Sequence, residues 1–395
     1  MGVKQVKLEK LGIEVSRLGF GCMRLPRLDN GKGKIDREKA ARMLDMAYAA
    51  GVNYFDTAYI YHGGESQIFL GEHMKKYPRE SFHLATKLPI WQCETLEDAI
   101  GKYQEQVRDC NLGYFDFYLL HSMDQERLSL IRRIGIYDYL VAEKKAGRIK
   151  YLGFSHHGNY ESFKELLTCF EWDFAQIQIN YADDVMGSMR KYYDLTCELG
   201  IPCFVMEPVR GGGLSVLPPE AAQIIGEFEQ SGGAKISQAG WALRWCMDKD
   251  NLKVILSGMT QPEQVEDNIR TFSDFPDKLT ESESAMINRL RDVFLANIKI
   301  PCTCCYYCMD CPVGVEIPQV FRTYNQYKVF GNPYRALEEY GCLLSEKSDG
   351  GQCVACGQCM EHCPQSINIP EGLKEAHAVM STIVRPAQWK FPGAV

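Results

Sequence analysis

Eight times between Leu18 and Ser257 the chain sets a short apolar run against a segment of helical period, and few architectures accommodate that alternation. The runs fall near 18–22, 52–56, 82–87, 115–120, 150–154, 174–179, 202–206 and 253–257. Helices are expected between them. From Asp36, for example, Ala40, Met43, Leu44, Ala47 and Tyr48 share one face, and the period stops at Gly51. Further helices are expected near 65–76, 94–110, 136–146, 159–169, 187–199 and 235–247. Strands joined by helices run parallel, and eight such units favour a closed (β/α)8 TIM barrel, an α/β fold. An open Rossmann-type sheet is the rival, but its glycine-rich fingerprint is missing after the early strands. Ahead of the first run, residues 4–8 and 13–18 alternate apolar with polar around Leu11-Gly12, as a short hairpin would.

Active sites of parallel barrels lie at the carboxyl ends of the strands, so the residues closing each run carry the most information. Phe55-Asp56-Thr57-Ala58-Tyr59-Ile60-Tyr61-His62-Gly63-Gly64 takes a strand out into a loop, with an acid at the strand end and Tyr61 five residues later. The next run closes on Lys87, and the one after it on His121. Singly these read as a surface Asp–Lys pair, a packing tyrosine and a satisfied core histidine. On three successive strand ends they read as one apparatus. A phenol of pKa about 10 is a poor proton donor until a neighbouring cation lowers it. Lys87 can supply that cation, Asp56 can hold Lys87, and His121 can donate a hydrogen bond to a carbonyl oxygen as charge develops there.

A formal charge of −7 argues against nucleic-acid or anionic-membrane partners, and 46% hydrophobic with 24% charged residues describes an ordinary soluble protein. The opening Met1-Gly2-Val3-Lys4-Gln5 lacks the apolar core of a signal peptide. No apolar run reaches the roughly 18 residues of a membrane span, so a cytoplasmic location is expected.

Of the 17 cysteines, Cys22, Cys93, Cys110, Cys169, Cys197, Cys203 and Cys246 are scattered and read as small buried hydrophobes. The others crowd together beyond Ile300-Pro301, where composition shifts toward cysteine, proline and aromatics. Cys353, Cys356, Cys359 and Cys363-Pro364 have the spacing of the bacterial ferredoxin run. A zinc site usually takes its ligands as two spaced pairs, which this run is not. Cys302, Cys305, Cys308 and Cys311-Pro312 form an earlier run with a shorter last gap, which leaves Cys304 over. Two short helices are expected in 313–352, broken at Gly331-Asn332-Pro333, and one more after Glu371.

Asp-Thr-Ala-x-x-Tyr, Thr86-Lys87 and Leu120-His121, in that order, closely resemble the aldo-keto reductase superfamily over roughly residues 5–275. The resemblance implies a barrel binding NADP(H) or NAD(H) in extended form, with Tyr61 as general acid. It implies that Ser155 and His156, after the fifth strand, and Gln176 hold the carboxamide, His156 standing where the family has Asn. Met206-Glu207-Pro208-Val209-Arg210 aligns with the segment that carries a stacking tyrosine, replaced here by Met206; Pro208 and Arg210 are further cofactor candidates. Ser257-Gly258-Met259-Thr260 through Asn268 resembles the phosphate-binding loop and helix, with Gln264 where a basic residue often meets the 2′-phosphate. Arg270 and Lys253 are cations near it in sequence.

The C-terminal region resembles the ferredoxin-like domain appended to a subset of these reductases. It implies two [4Fe-4S] clusters, with the last cysteine of each run serving the other cluster. One cubane would take Cys302, Cys305, Cys308 and Cys363, the other Cys353, Cys356, Cys359 and Cys311. The expected domains are then a barrel, 1–298, and a small α-helical iron–sulfur domain, 299–395.

The function expected is NAD(P)H-dependent interconversion of a small carbonyl compound and its alcohol, beside an electron-transfer domain that leaves room for a redox partner. A different class of reading is a regulatory module whose barrel senses nicotinamide state and whose clusters are structural; four intact catalytic groups favour the enzyme. No flavin-binding signature is present to convert hydride into single electrons. Tyr59, Trp91 and Met123 are candidate walls of the substrate pocket.

Overall fold

A computed structural model of the chain describes residues 2–28, 34–187, 189–302, 304, 306–309, 311–331, 333–363 and 365–383. Among these residues ten strands are found: β1 (Gln5–Leu8), β2 (Ile13–Ser16), β3 (Leu18–Gly21), β4 (Tyr54–Asp56), β5 (His83–Leu88), β6 (Phe115–Met123), β7 (Ile149–His156), β8 (Phe174–Gln178), β9 (Cys203–Met206) and β10 (Leu252–Gly258). β1 and β2 form an antiparallel hairpin, and β3 to β10 close into a parallel barrel in which β10 pairs with β3. The alternation in sequence therefore does encode a closed barrel. Leu8 and Val15 of the hairpin pack in one cluster with Tyr54, Phe117, Phe174, Phe204 and Val254 of the barrel interior, so the hairpin joins the barrel's own core. Strand packing there is tight enough to demand glycine. A Cβ on Gly153 would lie 2.6 Å from the Phe174 carbonyl oxygen.

The barrel helices include α1 (Arg37–Ala49), α2 (Glu65–Met74), α3 (Leu96–Cys110), α4 (Gln125–Ile134), α5 (Ile136–Lys145) and α6 (Tyr160–Cys169). Then follow α7 (Tyr181–Gly187), α8 (Arg190–Glu198), α9 (Pro219–Gln230), α10 (Gln238–Met247) and α11 (Pro262–Asp274); of these, α9 and residues 185–187 of α7 fall in the second of two packing units. Where one helix was expected between β6 and β7 there are two. Asp124 caps α4 by accepting the Arg127 N–H, and Gly135, at φ 73°, ends α4 and starts α5. Helix α9 was also unforeseen; Pro219 at its first turn has the fixed φ that suits a helix start.

By packing, the chain forms two units. The first is Met1–Asp184, Ser188–Ser215 and Lys235–Glu281; the second is Val185–Gly187, Val216–Ala234 and the chain from Ser282. In the second unit lie α12 (Glu281–Ala296), α13 (Ile317–Phe330), α14 (Pro333–Ser345), α15 (Gln358–Glu361) and α16 (Ile369–Ile383). Its core is Ile317, Val320, Phe321 and Tyr324 of α13, Tyr340 and Leu343 of α14, and Leu373, Ala376 and Met380 of α16. Cys302, Cys311, Cys353, Cys359 and Cys363 pack against this core. Among the described residues no helix is long and apolar enough to cross a membrane.

Candidate active site

Parallel pairing places the strand ends side by side. Asp56 pairs with Gly21 and Ala85, and Lys87 with Leu119, which sets Asp56, Lys87 and His121 around one rim of the barrel. Lys87 is fully buried, and its ammonium donates to Asp56 Oδ1 at 2.5 Å, to the Thr57 carbonyl at 2.8 Å and to Tyr61 Oη at 3.4 Å. Its strand end is held from behind. Gln106 of α3 donates to the Lys87 carbonyl at 3.0 Å and to Thr86 Oγ1 at 2.9 Å, and receives the Tyr118 hydroxyl at 2.6 Å. Tyr61 is returned to the rim by a sharp turn: His62, Gly63 and Gly64 follow it with φ of 54°, 66° and 93°. A run of left-handed residues explains why two glycines stand there.

His121 is aimed by a bulge. Leu120 pairs with Phe154 and Met123 with His156, so His121 and Ser122 stand opposite Ser155 alone. Ser122 takes the strain, at φ 56°, and its N–H donates to Ser155 Oγ at 2.7 Å. Such bulges re-aim side chains next to active sites. The His121 ring meets the Tyr61 ring edge-on at 6.1 Å between centroids, and its buried Nδ1 has no hydrogen-bond partner among the described residues.

Electrostatics separate the four roles. Burial alone would depress the Lys87 ammonium, but Asp56 and Tyr61 raise it, so it stays charged. Burial raises Asp56, and Lys87 opposes this only in part. His121 lies well below the ordinary histidine range, chiefly by burial and then through Lys87, His157 and Arg127, so it is neutral. Tyr61 departs from the sequence expectation. Lys87 does lower its phenol, but burial raises it by more, and the result lies above the ordinary value. The cation limits the penalty of burial and does not reverse it.

The cofactor candidates divide. Ser155 pairs with Gln176 across β7 and β8, both side chains are buried, and Gln176 Oε1 has no hydrogen-bond partner among the described residues while its Nε2 reaches Met206 Sδ at 3.8 Å. His156 points elsewhere: its Nε2 shares a hydrogen bond with Ser162 Oγ of α6 at 3.0 Å, and its ring packs against Phe163. Arg210 is also taken up internally, in a buried ion pair with Asp183 at 2.7 Å. Pro208 is buried and Met206 half-buried beside them. In the loop after β10, Asn268 donates to Ser257 Oγ at 2.7 Å, Met259 is buried and Gly258 is exposed. Gln264 caps α11, accepting the Thr260 N–H at 2.7 Å and the Gln261 N–H at 3.2 Å. Sequence distance hid two cations at this loop. Arg24 follows β3, the barrel neighbour of β10, and its side chain lies 3.3 Å from where a Cβ on Gly258 would stand; Lys39 donates to Gln261 Oε1. Lys253 stands near the other end of β10, and Arg270 pairs with Asp267 at 3.1 Å.

In the second unit, a cavity of about 270 Å³ is lined by Cys308, Cys311, Cys353, Cys356 and Cys359. A smaller hollow is lined by Cys302, Cys308 and Cys363. Burial raises the Cys359 thiol, helped by Cys353, Cys311 and Cys356 nearby. Cys305 lies outside the described residues. Among the described residues, no set of three or more His, Cys, Asp or Glu side chains is drawn close enough to hold a metal ion.

Residues 17–292 match the family model described as the aldo/keto reductase family. A probable aldo-keto reductase of Glycine max is 31% identical over 161 residues, 39% of this chain and 45% of that protein, so less than half of that relative is spanned. An NADH-specific methylglyoxal reductase of Escherichia coli (strain K12) is 25% identical over 308 residues, 68% of this chain and 93% of that protein. Among solved structures, the holo form of an aldo-keto reductase from Bacillus halodurans superposes with a TM-score of 0.60 at 25% identity, covering 73% of this chain and 96% of that one. With a family model covering most of the barrel and a buried Asp–Lys–Tyr–His group at its mouth, the chain belongs to the aldo/keto reductase family.

Proposed function

We propose that the barrel is an NAD(P)H-dependent carbonyl reductase, and that the second unit carries two [4Fe-4S] clusters for single-electron transfer. The observation that carries the first reading is Lys87, whose buried ammonium joins Asp56 to the Tyr61 hydroxyl with the neutral His121 ring alongside. The buried, unpartnered Gln176 Oε1 suits a carboxamide N–H, and the loop from Gly258 into α11 suits a phosphate. Ser155, Gln176, Ser257 and Asn268 would hold the nicotinamide dinucleotide, which when bound supplies the hydride to the carbonyl carbon. Tyr61 Oη gives its proton to the carbonyl oxygen, and Lys87 stabilises the phenolate that remains. His121, being neutral, donates a hydrogen bond to the same oxygen without competing for the proton. The Escherichia coli relative named for NADH and methylglyoxal supports a small carbonyl substrate and tolerance of the unphosphorylated cofactor.

For the clusters, what supports the reading is the pairing of thiols across the two runs. Cys311 shares a cavity with Cys353, Cys356 and Cys359, while Cys363 shares the other hollow with Cys302, and Cys308 lines both. The sharing of Cys311 and Cys363 across the runs is what an exchange of fourth ligands, as in two-cluster ferredoxins, would need. Anaerobic assay of a carbonyl panel, with NADPH and NADH separately, tests the enzyme. Absence of cofactor-dependent reduction by wild type, or its survival at full rate in Tyr61→Phe, would count against it.

A further inference from the structure

Trp91, in the loop after β5, sets its ring 5.1 Å from the His121 ring and is 37% exposed. Over the same indole lies Arg127, its guanidinium carbon 5.0 Å from the ring centroid. Arg127 is thus one aromatic ring away from the group that meets the substrate oxygen, close enough for its charge to help depress His121.

Among the described residues the guanidinium is held at one nitrogen. Nη1 donates to the Ser122 carbonyl, to Ser122 Oγ at 3.0 Å and to Asp124 Oδ2 at 3.1 Å, and neither Nε nor Nη2 meets a partner there. Asp124 is itself committed to the α4 cap, accepting the Arg127 N–H at 2.9 Å. The arrangement fixes the plane of the fork and leaves its second edge for a ligand. A planar fork stacked on an indole matches a carboxylate, which accepts two parallel hydrogen bonds. A purely structural arginine here would be expected to use both edges on the scaffold.

We infer that the carbonyl substrate carries an anionic group, a carboxylate by fit, which Arg127 holds over Trp91 while the carbonyl oxygen meets Tyr61 and His121. The inference rests on the carbonyl-reduction reading and adds a substrate class to it. Arg127 is a specificity residue, since it touches the substrate away from the reacting atoms.

The test compares 4-carboxybenzaldehyde with its methyl ester, which differ in charge and little in reach. Wild type should prefer the acid in kcat/KM, mainly through KM. In Arg127→Ala the acid-to-ester ratio should fall roughly 10- to 100-fold, the range for losing a charge-assisted hydrogen bond, and Arg127→Lys should recover part of it. Using a ratio within one variant removes any general loss caused by disturbing Ser122. Tryptophan fluorescence titrated with sodium benzoate gives a second readout, with saturable quenching expected in wild type and lost in Arg127→Ala. A wild-type ratio near unity, or a ratio kept in Arg127→Ala, overturns the inference. If neither aldehyde is reduced, the carbonyl-reductase reading is what fails, and benzoate quenching equal in wild type and Arg127→Ala would overturn the anion site separately.

Discussion

At the barrel mouth every reacting group except Tyr61 stands on a strand, and Tyr61 follows one by five residues. In the second unit the described cysteines of the two runs stand on loops and on a single-turn helix, beside a core of three helices. The ladder fixes the first set whatever the side chains are: Asp56 stays beside Ala85, and Lys87 beside Leu119. The second set belongs to the packing it has to be positioned by, because Cys311, Cys353, Cys359 and Cys363 themselves cover the core. The difference teaches that chemistry and folding are separable at the barrel mouth and coupled at the cysteines. A change of one catalytic side chain should leave the barrel standing, whereas a change of one thiol should disturb metal and fold together.

The strongest way to break that contrast is Tyr61→Phe. Only the proton donor is lost, and the ring that packs against His121 is kept. Carbonyl reduction should fall by about 10²- to 10⁴-fold, the usual share of general acid catalysis, with cofactor affinity and Tm close to wild type. Near-wild-type turnover would sink the role of Tyr61. A large drop in Tm would show that the mouth is not separable from the fold.

On the cysteine side, anaerobically purified protein should hold about eight irons and eight sulfides, as two cubanes require. Cys311→Ser should bring iron toward about four and lower the stability of the second unit in the same preparation. Cys304→Ser should keep full iron, whereas Cys305→Ser should lose one cluster, since only Cys305 keeps the two-residue spacing on both sides. Full iron in Cys305→Ser with loss in Cys304→Ser would put the loop in another register.

How much of this could be read from the sequence follows the same division. The tetrad was legible because strand order and the parallel ladder turn neighbours in sequence into neighbours around the rim; Asp56, Lys87 and His121 close consecutive barrel strands. The cysteine runs were legible from spacing alone. What sequence reading misplaced depended on side-chain direction or on closure. His156 and Arg210 sit at aligned positions yet turn to Ser162 and Asp183. Arg24 reaches the loop after β10 only because the barrel closes β3 onto β10, a proximity invisible in a chain where they stand more than two hundred residues apart. The bulge at Ser122 left no sign in composition, since serine rarely needs a left-handed φ.

A smaller effect sharpens the comparison within the barrel. His156 is pushed down to about 3 by burial, with His157 adding to it, so it remains neutral in the folded protein. The unfolded chain binds a proton there as pH falls below about 6.5, and the folded chain does not, so stability is lost as pH falls. One such group contributes about 1.4 kcal/mol per pH unit at most until the folded pKa is reached. His121 is depressed in the same direction and adds to the slope. His156→Gln should therefore flatten the fall of Tm between pH 6.5 and 5 relative to wild type. Parallel slopes for the two proteins would show that the folded ring takes up its proton at the rim after all.

The smallest expected effect concerns which nicotinamide is preferred. Gln264, which the resemblance would set against a 2′-phosphate, has its carbonyl oxygen already taken by two N–H groups of the loop. Lys253 is five residues from Gly258 along an extended strand, about 16 Å at the usual rise, too far to help. Arg270 is held by Asp267. Lys39 is bonded to Gln261 Oε1, which leaves Arg24, exposed and lying over Gly258, as the cation best placed to meet a phosphate. An exposed ion pair contributes only ~0.2–1 kcal/mol, so the preference for NADPH over NADH should be no more than about fivefold. Arg24→Ala should remove most of it while leaving NADH affinity alone, read as Kd by fluorescence at low and at physiological salt. Gln264→Arg should do less than its added charge suggests, because it gives up the cap of α11 as it gains the cation. A preference well above tenfold that survives Arg24→Ala would place the deciding cation elsewhere on the barrel.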